Sequence, residues 1–537
     1  MTTPAPSATS PALAIVNARV WTGDPARPWA DAVAVAGEEI VAVGSSAEVR
    51  KLARAGTRVI DGTGRMVVPG FIDAHVHFMS GGFGLTSVEL RDATTREEFV
   101  RRIREHAARV PDGAWLLEGN WDHHHWGGEL PRRDWIDSVT PNTPVFIQRL
   151  DGHMSLANTA ALRAAGVTRA TADVAGGEIV RDASGEPTGI FKDNAASLVA
   201  HAIPDPLPAQ EDDALDAAMR HVAAQGVTSV HHMGTWRDIG IFDRAHAAGR
   251  LRTRIYAVVP LSSWERLRAE VSSRSRGDDW LHIGGLKGFM DGSLGSHTAA
   301  MLEPFTDTPD DRGLLVNPLD SIHAWVKGAD AAGLHVIIHA IGDRANRDLL
   351  DIYERVQREH GPRDRRFRIE HAQHLAEPDI ARFAALGVIP SMQPYHAIDD
   401  GRWAEKVIGA QRARGTYAFR SLLDAGARLA FGSDWFVAPP TPLEGIYAAV
   451  TRRTLDERHP GGWIPEQRIT VEEALRAYTS GSAFAEYRES QKGMLRRGML
   501  ADLVMIDRDL TAVPAETIRD ARILLTIVGG RVAYERP

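Results

Sequence analysis

The chain has 537 residues, 44% hydrophobic and 25% charged, the balance of a soluble globular protein with room for about three or four domains. Its 62 Lys+Arg against 70 Asp+Glu leave a net charge of −8, which argues against a nucleic-acid footprint or a polybasic membrane surface. It contains no cysteine, which excludes disulfide scaffolds, thiolate zinc sites and a cysteine nucleophile, so imidazole and carboxylate must supply any metal site among its 22 histidines.

Residues 1–12 are small and Pro-rich, lack a basic or apolar signal region, and read as a disordered leader. No stretch approaches the roughly 18 apolar residues of a membrane span, so a cytoplasmic location without membrane contact is expected. Residues 13–65 run apolar in pieces of strand length, punctuated by Gly37 and Gly44. The far C-terminus repeats the pattern, with Gly529–Gly530 suited to a hairpin turn.

The middle of the chain alternates strand-like and helix-like segments. Strand signals fall at 66–78, 226–232, 254–260, 281–291, 334–340, 366–372, 387–393 and 428–434. Helical stretches are expected near 236–249, 262–275, 343–359, 377–386, 402–425 and 443–453. Repeated β–α units imply a parallel sheet. About eight of them fit a TIM-like barrel best, with a doubly wound sheet as the alternative. Residues 80–210 break the rhythm. They hold a Thr95–Glu98 helix start, strand-like WLLEGNW and PVFIQRL, and a hairpin turning at Ala183–Ser184–Gly185. They read as an insertion after the first barrel strand, with 226–232 taken as the third.

His75-Val76-His77 ends the segment PGFIDAHVHF. In a strand, residues i and i+2 share a face, so both imidazoles point one way, onto the face where barrel active sites lie. Two exposed histidines at a strand end are the plainer reading. Lys287, His339, His371 and Asp434 sit at the ends of later strands and can converge on the same centre. Lys287 is one of only six lysines, against 56 arginines. A desolvated lysine favours its neutral form and can act as a nucleophile or take up carbon dioxide as a carbamate, an anionic donor able to bridge two metals. The alternative is a buried lysine paired with Asp291.

Together with WLLEGNWDHHHWGG, QRLDGHMSLANTAAL, KGFMDGSLGSHTAAM, HAIGDRANRDLL, RIEHAQHL and FGSDWFVAPPTPLEGI, these residues resemble the metal-dependent amidohydrolase superfamily. The likeness is to its family 3, on the branch of the N-substituted formamide deformylases, and covers nearly the whole chain. It implies a distorted (β/α)₈ barrel over 66–488 with its insertion, and a small β-sandwich built from both ends, 13–65 and 489–537. It also implies that His75 and His77 bind a first metal and His339 and His371 a second. Lys287 would be the carboxylated bridge, and Asp434 would touch the first metal and shuttle the proton. One or two divalent metals are implied, Zn²⁺ foremost, with Mn²⁺, Fe²⁺ or Ni²⁺ able to fill such a site. The expected reaction is hydrolysis of a C–N bond in a small amide, an N-substituted formamide or N-acyl amine, by water activated at the metal. No nucleic-acid or membrane partner is expected, and a homo-oligomer stays open.

A deaminase on the same barrel is the second reading, weakened because no glutamate closely follows His339 or His371. D-aminoacylases, a sibling group, use a cysteine ligand that this chain lacks. A non-catalytic binding barrel is the third reading, against which stands a full ligand set.

Among the remaining residues, His153, Trp121 and His231 are candidate substrate contacts, and His232 is a pocket candidate beside His231. His335 is read as structural. His123, His124 and His125 are read mainly as a solvated loop. Trp115, Trp121, Trp126 and Trp135 either roof the barrel mouth or hold the insertion together. GSLGSH (292–297) lacks the ending of a phosphate loop, so nucleotide binding is set aside.

Overall fold

The computed structural model describes residues 11–110 and 114–537. The expected leader lies outside them except for its last two residues. Ala12 is already bound into a sheet, its N–H donating to Val35 O at 2.8 Å.

Eight parallel strands follow one another in chain order: Phe71–Val76, Val227–Met233, Arg254–Pro260, Leu281–Phe289, His335–Ala340, Arg368–His371, Ile389–Met392 and Ala430–Phe431. Almost every residue in them is buried, as expected for strands covered on both faces. The first and last strands meet at their C-terminal ends, where Asp434 N–H donates to His75 O at 2.7 Å and His77 N–H to Trp435 O at 2.6 Å. This closure makes the sheet a TIM-type barrel and removes the doubly wound alternative. The eighth strand spans two residues, which gives the barrel its distortion.

Three boundaries differ from the sequence reading. Segment 226–232 lies in the second barrel strand, not the third, because the insertion contributes no strand to the barrel. Met66–Pro69 belongs to a different sheet, paired antiparallel with Leu503–Ile506; the barrel strand begins only after Gly70. A Cβ on Gly70 would lie 2.2 Å from Thr228 Oγ1, so the chain can bend there only as glycine. The helix expected over 402–425 is two, Ala404–Ala413 and Phe419–Asp424. Between them Gly415 packs so closely on Leu375 O that a Cβ would stand 2.0 Å from it.

Both chain ends supply two further sheets. One has the order Glu39–Gly44, Ala32–Ala36, Leu13–Val16, Arg58–Asp61; the other runs Arg531–Glu535, Ile523–Val528, Leu503–Ile506, Met66–Pro69, Arg19–Trp21, Trp29–Ala30. Leu13, Ile15, Val33 and Val35 of the first face Val67, Leu503, Met505 and Ile527 of the second in one apolar core. Gly529 and Gly530, with φ of 54° and 72°, make the tight hairpin their spacing suggests. Arg254 on the third barrel strand joins barrel to sandwich. Its Nε and Nη2 donate to the Asp502 carboxylate at 2.7 and 3.0 Å, with both residues buried.

The insertion forms a five-stranded sheet of its own, Gly177–Arg181, Pro187–Asp193, Met154–Ala157, Val145–Arg149 and Leu116–Trp121, including the expected hairpin. Thr95 caps the helix Arg96–Ala107 by accepting from Glu98 N–H. Among the described residues no helix is long and apolar enough to cross a membrane.

Candidate metal centre

The C-terminal ends of the barrel strands bring His75, His77, Lys287, His339, His371 and Asp434 to one place. His75 Nε2 and His77 Nε2 each lie 3.3 Å from the same oxygen, Asp434 Oδ1. Lys287 Nζ is 3.2 Å from His75 Nε2. The His371 ring stands 5.0 Å from His75 and 4.5 Å from His339 between centroids. Asp434 and His371 both have left-handed backbones, φ 61° and 71°, a rare state for non-glycine residues that tends to mark functional sites.

Hydrogen bonding fixes which nitrogen each imidazole leaves free. The Glu370 carboxylate contacts His75 Nδ1, so that nitrogen carries the proton and Nε2 keeps its lone pair. Gln393 Oε1 accepts from His371 Nδ1 at 2.8 Å, leaving Nε2 free. Gly292 O accepts from His339 Nε2 at 2.9 Å, leaving Nδ1 free instead. Burial lowers the pKa of all three rings well below the ordinary histidine value, which keeps them neutral as ligation requires. Burial also drops the Lys287 ammonium to about 8, so its neutral amine is accessible. Burial would raise the Asp434 carboxyl, but His75 and His77 outweigh it and hold it well below the usual range.

Asp434 Oδ1 is buried and has no hydrogen-bond partner, and neither has His396 Nε2. A buried carboxylate oxygen without a hydrogen-bond partner, 3.3 Å from two imidazole nitrogens, is unfavourable unless a cation compensates it. The donor set therefore fits a divalent cation. Donor atoms of His75, His77 and Asp434 lie within 4.8 Å of one another, and so do those of His371, His396 and Asp434. His396 is the residue that sequence reasoning missed. It lies in a short helix, Pro394–Asp400, after the seventh strand, where no strand-end pattern draws attention to it.

The alternative partner for Lys287 is not found. Asp291 instead accepts the N–H groups of Ala300, Ile341 and Gly342 at 2.8, 3.0 and 2.8 Å. His335, as read, is structural: Tyr256 Oη is 2.9 Å from its Nδ1, and its Nε2 donates to Arg366 O.

A cavity of about 570 Å³, counting its mouth, opens onto His339, His371 and Asp434. His153 lines it, with Nδ1 held by Asp193 at 2.6 Å and its ring 5.0 Å from His339. Arg149, Asp122 and Asp151 form its far wall as a buried ion-paired group. Trp121 does not reach the cavity. It is fully buried in the apolar core of the insertion with Trp135, its Nε1 donating to Ile147 O at 3.1 Å. His231 lies deeper in the barrel, between Arg368 and Glu486. His232 is also held away from the cavity, its Nδ1 accepting Phe78 N–H at 3.0 Å. The triplet 123–125 is a short 3-10 turn rather than a solvated loop. His123 accepts from Arg149, His124 stacks on Trp403 at 4.7 Å, and His125 meets Arg402.

Comparison with known proteins gives the family and the fold. The model of the amidohydrolase family matches residues 58–534. Protein LONG AFTER FAR-RED 3 of Arabidopsis thaliana is 39% identical over 535 residues, covering 97% of this chain and 91% of its own. N-substituted formamide deformylase of Arthrobacter pascens is 32% identical over 540 residues, 98% of each. A metal-dependent hydrolase of Pyrococcus horikoshii OT3, known as a crystal structure, superposes with a TM-score of 0.76 at 27% identity, over 94% of this chain and 99% of its own. With its closed barrel and histidine-rich mouth, the chain belongs to the amidohydrolase family and is a metal-dependent hydrolase acting on carbon–nitrogen bonds other than peptide bonds.

Proposed function

We propose that this protein hydrolyses a small N-substituted formamide or N-acyl amine at a Zn²⁺ centre held by His75, His77, Lys287, His339, His371 and Asp434. The observation that carries the assignment is the unpaired Asp434 Oδ1, equidistant from the Nε2 atoms of His75 and His77. His75 and His77 would hold one ion through Nε2; His371 and His339 would hold a second through Nε2 and Nδ1. Lys287, once its neutral amine has taken up carbon dioxide, would bridge the two. The bound cations would lower the pKa of water towards about 7 and polarise the substrate carbonyl.

The chain's own residues do the rest. Residues of the insertion line the cavity together with His339, Asp434 and Trp403, so a substrate would be placed with its amide towards His339 and Asp434 and its substituent towards Trp403. Asp434, anionic throughout the neutral range, takes a proton from the attacking water and returns it to the leaving nitrogen. His153, its Nδ1 fixed by Asp193, presents Nε2 to the substrate. Water adds to the carbonyl carbon, the C–N bond breaks, and a carboxylic acid and an amine leave. A cytoplasmic setting suits the cysteine-free composition.

Metal analysis of the purified protein, followed by a hydrolysis screen of N-formyl and N-acyl amines, tests this. At least one metal per chain and amine release are expected, with activity lost in Lys287→Ala. Less than one metal per chain, or full amidase activity in Lys287→Ala, would overturn the assignment. Ammonia release from aminated heterocycles, with none from amides, would point to a deaminase.

A further inference from the structure

Two charged residues stand in the barrel interior next to the candidate metal centre, and neither takes part in the mechanism above. Arg368 and Glu370 are on the sixth strand and have no solvent exposure. Glu370 Oε2 meets His75 Nδ1, and its other oxygen accepts Arg368 Nε–H at 2.8 Å. Arg368 uses its whole fork. Nη1 donates to His231 Nδ1 at 2.8 Å, and Nη2 donates to Ala74 O at 2.7 Å and Ser391 Oγ at 3.0 Å. Because arginine only donates, His231 Nδ1 must be the acceptor, so His231 carries its proton on Nε2. That nitrogen lies 3.0 Å from Glu486 Oε1, which lies 2.7 Å from Lys492 Nζ.

Arg368 and Glu370 therefore assign the protons of the two histidines they touch. Read from the barrel floor, a carboxylate faces an N–H, an imidazole lone pair faces a guanidinium, and the guanidinium faces a second carboxylate. That carboxylate accepts the hydrogen bond of His75 Nδ1–H. At the metal end His75 Nε2 keeps its lone pair, with Lys287 Nζ 3.2 Å away.

We propose that Glu370, clamped by Arg368, is a positioning residue that fixes the tautomer and orientation of His75 as a metal ligand. The proposal rests on His75 being a ligand, as assigned above. Carboxylates behind metal-binding histidines commonly raise metal affinity by about 10–100-fold. Here the column also makes the isosteric amide an unusually poor replacement. In Glu370→Gln the amide oxygen can face Arg368 or His75, not both. With its oxygen towards Arg368, its NH₂ points at His75 Nδ1 and demands a lone pair there. The proton then moves to Nε2, where a metal should bind.

The test is metal binding rather than turnover. Wild type, His75→Ala and Glu370→Gln are stripped, titrated with Zn²⁺ in competition with a chromophoric chelator, and compared for melting temperature without metal. Wild-type binding that falls in His75→Ala establishes the ligand. Glu370→Gln is then expected to weaken the same equivalent by about 10–100-fold, with the metal-free melting temperature close to wild type. Wild-type affinity in Glu370→Gln, while His75→Ala loses metal, overturns the positioning role and leaves the ligand assignment standing. If Zn²⁺ binds equally to all three, the ligand assignment itself fails. Should Glu370→Gln not fold, Arg368→Lys retains the charge but loses the fork. Weakened Zn²⁺ binding is expected there too, and unchanged binding refutes the proposal.

Discussion

Asp502→Ala should destabilise the whole molecule although it lies far from the metal centre. Asp502 accepts two hydrogen bonds from Arg254 and one from Gly529 N–H at 2.8 Å. Arg254 is 1% exposed and has one other acceptor, Asp279 O at 3.0 Å. Removing the carboxylate leaves a buried guanidinium in the joint between barrel and sandwich without its ion-pair partner. Breaking one side of a buried pair typically costs about 3–5 kcal/mol. With an unfolding entropy of roughly 2.1 cal/mol/K per residue, a chain of this size unfolding as one unit loses about 3–4 °C for that cost. Differential scanning calorimetry of Asp502→Ala against wild type reads it. Replacing both partners, as Arg254→Met with Asp502→Leu, should recover most of the loss, because the cost lies in the stranded charge. A shift under about 1 °C in Asp502→Ala, or a double variant worse than the single, would refute the reasoning.

Other outcomes follow from the site. Asp434→Asn keeps the shape but removes the base, and kcat should fall by about 10²–10⁴-fold in a steady-state amidase assay. Dialysis against a chelator should lower the melting temperature, and Zn²⁺ at 100 times its Kd should restore about 2.7 kcal/mol. Burial raises the Glu118 carboxyl from its ordinary value to about 7, opposed only by the Gln148 amide. A carboxyl raised in the folded state loses stability as pH climbs from about 4.5 to about 7. Glu118→Gln does not titrate, so its melting temperature should gain on wild type across that window and hold level above it.

The parts of this site that alternate along a strand are legible in the sequence, and the parts supported from behind are not. His75 and His77 announce themselves because i and i+2 share a face. Arg368 and Glu370 alternate just as regularly with Ile369 and His371, and that pattern ordinarily marks the charged side as solvent-facing. Here it faces the barrel interior, where His231 and His75 wait across the sheet; no local pattern can report a partner some 140 or 300 residues away. The same reason hides His396 and Trp403, which matter only because a helix after the seventh strand packs beside the insertion. His123–His125 look solvated for want of a local partner, yet Arg149, Trp403 and Arg402 supply one each. Eight strand signals and two β-rich ends were enough for the architecture, because burial on both faces leaves a composition signature that does not depend on which strands pair. The boundary at Gly70 was not visible, since Met66–Pro69 and Phe71–Val76 are equally apolar although they belong to different sheets.

That shared segment has a consequence for biosynthesis. His75 and His77 hang from a strand whose preceding residues, Met66–Pro69, find one neighbour in Arg19–Trp21 and the other only in Leu503–Ile506, which leaves the ribosome more than four hundred residues later. Until then one edge of that segment, just before the first barrel strand, has no partner. A truncation that removes Leu503–Ile506 would strip Met66–Pro69 of one of its two neighbours, so it is expected to loosen the start of the strand that carries His75 and His77 despite lying far along the chain from them.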